Sequence, residues 1–316
     1  MARIFLHIGA HKTGTTAVQS SFDRNRDMLA GHGVIYPRTN WYHYSQHRLA
    51  FALNGHRDPQ IGDIPSLSDE LEALNTVIAS APEDARIFIS SEVFFATRHD
   101  AMQQLKHGLA CDDVRILAVV RRPDDLLLSI YNQNIKAPQN EFKQPLQRVL
   151  KDPPCLSLDM DQPGCVRCWA DVFGYQNLML QSYETVDVIS MCLDLLEVPE
   201  SNFDRGPRVN SSVSAAVLEV MRISKAAGMD SALRKKLYQH AHKLFADHPM
   251  QDLSGADRQR ILEHYEAEFE ALFAQFGQEN PYRADRVDPS WEAGKTPLPA
   301  HLYVRLVEKL LKDRQA

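Results

Sequence analysis

The residues with the clearest chemical character form an eight-residue loop between an apolar run and a helical pattern, Gly9-Ala10-His11-Lys12-Thr13-Gly14-Thr15-Thr16. The loop keeps both glycines and the last hydroxyl of the nucleotide-binding pattern G-x-x-x-x-G-K-[ST], but Thr15 stands at the lysine position and the lysine lies three residues earlier, at Lys12. Glycines let the chain wrap closely around a phosphate, and the amides at the helix start point toward it. The pattern predicts an anion site, and the alternative is a strand-to-helix turn without a ligand.

The displaced lysine changes the chemistry that this loop can support. A lysine at the start of the helix reaches the β- and γ-phosphates of a nucleotide, whereas Lys12 would stand over the group attached to the bound phosphate. We find no strand that ends in an aspartate placed to hold magnesium, as sites that hydrolyse ATP or GTP need. The sequence therefore disfavours ordinary nucleotide hydrolysis.

A second candidate anion site follows the most apolar strand pattern, Val114–Val120. Arg121 stands directly after this strand, and Ser129 lies in the predicted helix that begins at Pro123. Ligands of open α/β sheets bind at the carboxyl ends of the strands, so Arg121 and Ser129 are placed to hold a second phosphate. The alternative is that Arg121 pairs with the nearby aspartates and that Ser129 is an ordinary helical serine.

The elements that must position these residues alternate along the first two thirds of the chain. Short apolar runs predict strands at residues 3–8, 34–36, 86–91, 114–120 and 178–182, with helical patterns between several of them. The first helix is predicted over residues 15–29. Strands that alternate with helices imply an α/β fold with a central parallel sheet flanked by helices.

From residue 212 onward the pattern is helical only. Each of three predicted helices has an apolar face, formed by Val213, Val217, Val220 and Met221, by Ile261, Leu262, Tyr265, Phe269, Leu272, Phe273 and Phe276, and by Leu302, Leu306, Val307, Leu310 and Leu311. We therefore expect an α/β core over residues 1–210 and a helical C-terminal extension, residues 211–316, packed on that core. The alternative is a separate helical domain. The third apolar face would also suit the interface of a homodimer.

Composition and charge exclude several classes of protein. The chain has 316 residues with 41 acidic and 35 basic side chains, and its net charge of −6 disfavours binding of nucleic acid through a broad basic surface. We find no apolar stretch near the ~20 residues that span a bilayer, and the apolar start is too short for a signal peptide. Five sparse cysteines argue against a disulfide framework, and Cys165 and Cys168 are expected on a helix packed on the core rather than in a zinc site. We expect a cytoplasmic protein.

Together, the loop and the second anion site resemble those of the sulfotransferases that use 3′-phosphoadenosine 5′-phosphosulfate (PAPS). This family has a Lys-x-Gly-Thr-Thr core after a strand, here Lys12 to Thr16, and an arginine at a strand end with a serine eight residues later, here Arg121 and Ser129. A weaker third match is the strand followed by Tyr183-Glu184. The resemblance covers roughly residues 1–210, and the loop is most similar to that of carbohydrate-modifying and bacterial members.

The resemblance implies a P-loop-like three-layer fold and transfer of a sulfuryl group from PAPS to a hydroxyl or amine of an acceptor, by in-line displacement and without a metal. Lys12 would stabilise the charge on the oxygen that bridges sulfur to the 5′-phosphate. Arg121 and Ser129 would bind the 3′-phosphate, and adenosine 3′,5′-bisphosphate would be the product. The loop residues implied in cofactor binding are His11, Lys12, Thr13, Gly14, Thr15 and Thr16.

A general base is expected after a central strand, where members of the family carry His or Glu. Here the run 86–91 is followed by Glu92, whose carboxylate is placed to take the proton of the acceptor, with Ser90 or Ser91 assisting. His43 and His47, in the irregular segment 37–66, are the alternative bases. The other interpretation of Glu92 is an ordinary exposed glutamate or a partner of Lys12.

Two functions from other classes stay open, a P-loop kinase acting on a small molecule and a catalytically silent binding protein on the same fold. The acceptor is expected to be a carbohydrate or a small molecule. The aromatic and histidine residues at 41–47 would suit sugar rings or aromatic groups by stacking, and core packing is the other explanation for them.

Overall fold

All five predicted strands form in the computed structural model, which describes residues 2–55, 66–151, 160–207 and 213–292. The strands are β1 (Arg3–Gly9), β2 (Val34–Ile35), β3 (Arg86–Ser90), β4 (Val114–Val120) and β5 (Leu178–Ser182). They join in one parallel sheet with the order β2-β3-β1-β4-β5, in which Leu6 lies between Ile89 and Ile116. The predicted α/β fold with a central parallel sheet flanked by helices is confirmed.

Twelve α-helices accompany the sheet in the described part of the chain. They are α1 (Thr15–Arg24), α2 (Arg26–Gly31), α3 (His47–Asn54), α4 (Leu67–Ser80), α5 (His99–Gly108), α6 (Pro123–Lys136), α7 (Leu146–Val149), α8 (Gln162–Phe173), α9 (Val188–Leu195), α10 (Ala215–Ala226), α11 (Ser231–Leu244) and α12 (Gly255–Gln275). Helix α3 lies inside the segment that we expected to be irregular. Residues 56–65 of that segment lie outside the described residues.

The single helix predicted over residues 15–29 is wrong, because the chain breaks at Asn25 into α1 and α2. Asn25 has a non-helical backbone (φ −101°, ψ 20°), and its side-chain amide donates to the carbonyl oxygens of Ser21 and Asp204. An asparagine side chain competes with the helical hydrogen bonds of the backbone, and here that competition ends the helix.

The sheet is covered on both faces. The connection from β1 to β2 moves toward one edge and the later connections move back across the sheet, so right-handed crossovers place α1 and α2 on one face and α3 to α5 on the other. On the first face, Phe5, Phe88 and Val119 pack with Phe22 of α1 and Cys192 of α9. The residues of β1 from Ile4 to Ile8 are all buried, as expected for a strand between two helical layers.

Helix α8 packs on the core, as predicted for the segment that holds Cys165 and Cys168. Trp169 is fully buried, its indole N–H donates to the carbonyl oxygen of Phe95, and its ring lies edge-on to Phe94. Among the described residues, no group of three His, Cys, Asp or Glu is arranged to hold a metal ion.

Strand order places a topological switch point between β1 and β4. The connection from β1 leads toward β2, whereas the connection from β4 leads toward β5 at the opposite edge. Loops that leave neighbouring strands in opposite directions open a crevice at the carboxyl ends of those strands, where ligands bind. The Gly9–Gly14 loop leaves β1 at this crevice, and Arg121 follows β4 at the same place.

The chain divides into two compact units. The first contains Met1–Arg122, Asp161–Val209 and Glu268–Pro281, and the second contains Pro123–Met160, Asn210–Ala267 and Tyr282–Ala316. The expected domain boundary at residue 210 stays a prediction, and residues 208–212 lie outside the described residues. The apolar face predicted at 302–311 also lies outside them.

Within the second unit, α10 packs against α6 and α11. Asp124 and Asp125, at the start of α6, both accept hydrogen bonds from Arg258 of α12, and Asp252 accepts a third. The carboxylates raise the pKa of Arg258 well above its usual value, against the effect of its burial. These aspartates therefore act as partners of Arg258. None of the helices in the described ranges is both long and apolar enough to cross a membrane.

Burial of the Trp169 indole should contribute strongly to the stability of the first unit. We expect Trp169→Ala to lower the free energy of unfolding by about 3–5 kcal/mol, because it leaves a cavity among fully buried side chains. Urea unfolding measures this loss. Trp291→Ala removes an indole that is 44% exposed and should cost no more than about 0.5 kcal/mol. Equal losses in the two variants would contradict the packing role of Trp169.

Candidate functional site

The loop that follows β1 is held in a tight conformation by three residues with left-handed backbones. Gly9, Lys12 and Gly14 have φ angles of 80°, 65° and 80°. The amide of Ala10 donates to the carbonyl oxygen of Val119 in β4 over 2.6 Å, and the hydroxyl of the buried Thr13 donates to the carbonyl oxygen of Ala10, also over 2.6 Å. The loop thus closes on itself at the end of β1.

Gly14 leads directly into α1, and no described side chain caps this helix. Thr15 is buried and Thr16 is exposed. The first turn of α1 contains no acidic residue. The amides at the start of a helix attract anions when no side chain occupies them. The predicted anion site at this end of α1 stays a prediction.

Glu92 lies beside the first residue of the loop. It opens the 3-10 turn Glu92–Phe94 that follows β3, and a Cβ on Gly9 would lie 3.0 Å from the Cβ of Glu92. Gln19 of α1 donates to the Glu92 carboxylate over 2.9 Å. Burial alone would raise the pKa of Glu92, but His47, His11 and the hydrogen bond from Gln19 lower it below its usual value. Glu92 is therefore ionised at neutral pH.

His47 begins α3 and contacts Ser91, the residue that precedes Glu92. Its Nδ1 lies 2.6 Å from the hydroxyl oxygen of Ser91. Burial lowers the pKa of His47, Glu92 opposes this shift, and His11 and His43 add to it. The imidazole is thus neutral at neutral pH and able to accept a proton.

His11 and His43 lie near enough to His47 to lower its pKa. The three histidines that were proposed from the sequence are therefore neighbours. His43 is exposed, with a left-handed backbone (φ 54°) and its ring 4.1 Å from that of Tyr42. Trp41 instead packs against the core, with the guanidinium of Arg26 over its ring at 4.4 Å. Core packing therefore explains Trp41, whereas His43 faces solvent.

Two residues of the site were not found from the sequence, namely His7 and Gln19. Both are buried, as is Ser90. The Nδ1 of His7 lies 3.0 Å from the hydroxyl oxygen of Ser90, and Gln19 donates to that oxygen over 3.3 Å as well as to Glu92. The signal available was a histidine within an apolar strand pattern. Burial lowers the pKa of His7 to about 4, although Glu92 raises it.

Arg121 lies at the end of β4, as predicted. Its Nη1 donates to the carbonyl oxygen of Lys12 over 2.8 Å, and its guanidinium lies over the ring of Tyr183 at 5.2 Å. Glu184 lies 3.9 Å from its Nε. Ser129 lies on α6, in the second unit, and its predicted role beside Arg121 stays a prediction.

A cavity of about 660 Å³ lies elsewhere in the first unit. Its lining includes Arg3, Arg115 and Leu178, which lie at the amino ends of β1, β4 and β5. The lining contains none of the proposed catalytic or cofactor-binding residues. We therefore place the candidate site at the loop, on the strength of its side chains and hydrogen bonds rather than of cavity size.

Comparisons with known proteins leave the family of this chain open. No family model matches the sequence, and no curated protein does. Among solved structures, a sulfotransferase from Alicyclobacillus acidocaldarius is similar, with 16% sequence identity, a TM-score of 0.43 and coverage of 74% of this chain and 98% of that one.

The contact between Gly9 and Glu92 should not tolerate a side chain on Gly9. We expect Gly9→Ala to destabilise the protein by about 1–2 kcal/mol for the left-handed backbone, with a further cost for the contact. Gly277→Ala is the matched control, because Gly277 also has a positive φ (66°) but has nothing within 4 Å of the added Cβ. Urea unfolding compares the two variants, and equal losses would contradict the close contact.

The free energy of unfolding should fall as the pH decreases from 6.5 to about 4. Burial lowers the pKa of His7 from 6.5 in the unfolded chain to about 4 in the folded protein. Between these pH values the unfolded chain binds a proton at His7 and the folded protein does not, so the free energy of unfolding falls by roughly 3 kcal/mol. The lowered pKa of His47 acts in the same direction.

Urea unfolding at a series of pH values measures this dependence. His7→Gln should flatten the curve between pH 6.5 and 4 because it removes the titrating group. His32→Gln, which replaces an exposed histidine, should leave the slope as it is. A full slope in His7→Gln would show that His7 is not the buried neutral group described above.

Proposed function

We propose that the protein is a PAPS-dependent sulfotransferase. The loop from Gly9 to Gly14, here called the phosphate loop, contains Lys12. The observation that carries this proposal is the placement of an ionised carboxylate, Glu92, against the first residue of that loop. A phosphate loop accounts for the binding of an anion, and a carboxylate beside it accounts for the removal of a proton. The two together suit transfer of an anionic group to a hydroxyl or amine.

The residues of the loop fit the cofactor that this activity needs. The uncapped start of α1 supports binding of a 5′-phosphate by the amides and hydroxyls of Gly14 to Thr16, with Thr13 bracing the loop from inside. His11 is half-buried beside Lys12 and adds a donor. Arg121 adds a second cation beside the loop, with one guanidinium nitrogen bonded to the Lys12 carbonyl oxygen.

When bound, PAPS supplies an activated sulfuryl group. Lys12 is the residue that we assign to balance the negative charge at the loop, since an ammonium in a partly buried site stabilises charge more strongly than one in water. The oriented amides act in the same way without moving during the reaction.

Glu92 is the base that we prefer, with His47 as the second candidate and the exposed His43 below both. Glu92 is ionised, and Gln19 holds one carboxylate oxygen, so its orientation is set before an acceptor arrives. His47 is neutral and is held at Nδ1 by Ser91. Either group can take a proton from an acceptor hydroxyl or amine at neutral pH.

The acceptor, the partners and the location of the protein remain proposals from the sequence. We expect a carbohydrate or small-molecule acceptor, no nucleic acid, a cytoplasmic location and no required metal. A homodimer stays open. A P-loop kinase is the second candidate function, but the lysine position in the loop does not favour it.

Adenosine 3′,5′-bisphosphate should raise the melting temperature of the protein in the absence of magnesium. Lys12→Ala should abolish sulfuryl transfer and leave the fold intact, whereas Lys143→Ala replaces an exposed lysine and should change neither property. Thermal shift and transfer of labelled sulfate to a panel of sugars and phenols measure both effects.

Two results would contradict the proposal. Tighter stabilisation by ATP that depends on magnesium would favour the kinase. Binding of the bisphosphate without turnover on any acceptor, or no binding at all, would favour a catalytically silent protein on the same fold.

A further inference from the structure

Arg121 reaches from the end of β4 into the phosphate loop. Its Nη1 donates to the carbonyl oxygen of Lys12, a residue 109 positions away in the chain, over 2.8 Å. Lys12 has a φ of 65°, a backbone conformation that residues other than glycine rarely adopt. Such a conformation persists only where the surrounding structure holds it, and the bond from Arg121 is one such restraint.

Both the backbone and the guanidinium of Arg121 are held by neighbouring residues. The side chain of Gln162 bonds to both the amide and the carbonyl oxygen of Arg121, each over 2.7 Å. The ring of Tyr183 lies under the guanidinium at 5.2 Å, and the carboxylate of Glu184 lies 3.9 Å from Nε. These protein contacts orient Arg121 toward the loop.

We propose that Arg121 is a positioning residue for the phosphate loop, which holds Lys12 in its left-handed conformation through the Lys12 carbonyl. This inference rests on the proposed function and extends it. It assigns to Arg121 a role at the 5′ end of the cofactor, separate from the contact with the 3′-phosphate that the sequence implies. An anion that has no second phosphate should then still depend on Arg121 for binding.

Two substitutions separate the hydrogen bond from the charge. Arg121→Lys keeps the positive charge but loses the planar fork that reaches the Lys12 carbonyl. Arg121→Gln removes the charge and keeps an amide donor on a shorter side chain. Arg115→Lys is the matched control, because Arg115 lies on the same strand and bonds to Asp113 and to the carbonyl oxygen of Gln176 instead.

Hydrogen exchange of the ligand-free protein tests the role directly. In Arg121→Lys, the amides of Ala10 and Ala17, which bond to Val119 and Gly14 on either side of Lys12, should exchange about tenfold faster, which is the effect of losing one hydrogen bond from a charged donor. Arg115→Lys should leave these rates unchanged. Unchanged rates in Arg121→Lys would overturn the proposal. If that variant does not fold, Arg121→Gln serves for the same measurement.

Calorimetry with two matched nucleotides tests the consequence for binding. Adenosine 5′-monophosphate and adenosine 3′,5′-bisphosphate differ only in the 3′-phosphate, and Arg121→Lys should weaken binding of both by about tenfold. If the affinity for the monophosphate is kept and only that for the bisphosphate falls, Arg121 serves the second phosphate alone and the proposal is wrong.

The failure of the proposed function gives a different result. In that case the wild-type protein binds neither nucleotide, whatever the state of the loop. The exchange rates of the Ala10 and Ala17 amides then decide the positioning role of Arg121 by themselves, since they need no ligand.

Discussion

The close approach of Gly9 to Glu92 is the constraint on which the candidate site depends. A Cβ on Gly9 would lie 3.0 Å from the Cβ of Glu92 and 3.2 Å from its Cα, so a side chain at this position would have to displace Glu92. The positive φ of Gly9 also turns the chain at the point where the pairing of β1 with β4 shifts its register. One glycine thus starts the loop from Gly9 to Gly14 and brings a carboxylate to it.

Three buried polar side chains lie next to this contact, and hydrogen bonds between them offset the cost of burying them. His7, Ser90 and Gln19 are connected to one another, and Gln19 carries the connection to Glu92. Buried polar groups are stable when their hydrogen bonds are made, and the bonds then fix the orientation of the side chains. The arrangement gives Glu92 a defined orientation and holds its pKa low despite burial.

The charge of the chain is compatible with this site. A net charge of −6 disfavours a broad basic surface for polyanions, but a small anion needs only a few oriented donors. In the function that we propose, those donors are the amides at the start of α1, with Lys12 and Arg121 as the nearby cations. In the second unit, the acidic residues Asp124, Asp125 and Asp252 bind Arg258.

The sequence by itself determined the strands, the α/β class, the loop and Glu92 at the end of β3, because apolar periodicity and glycine spacing are local properties. It did not determine the break of the first helix at Asn25 or the helix α3, since tertiary contacts decide these local preferences. Only the tertiary structure brought Gln19 to Glu92 and Arg121 to the carbonyl of Lys12. These contacts join residues 73 and 109 positions apart, and strand order, which no local pattern encodes, places them side by side.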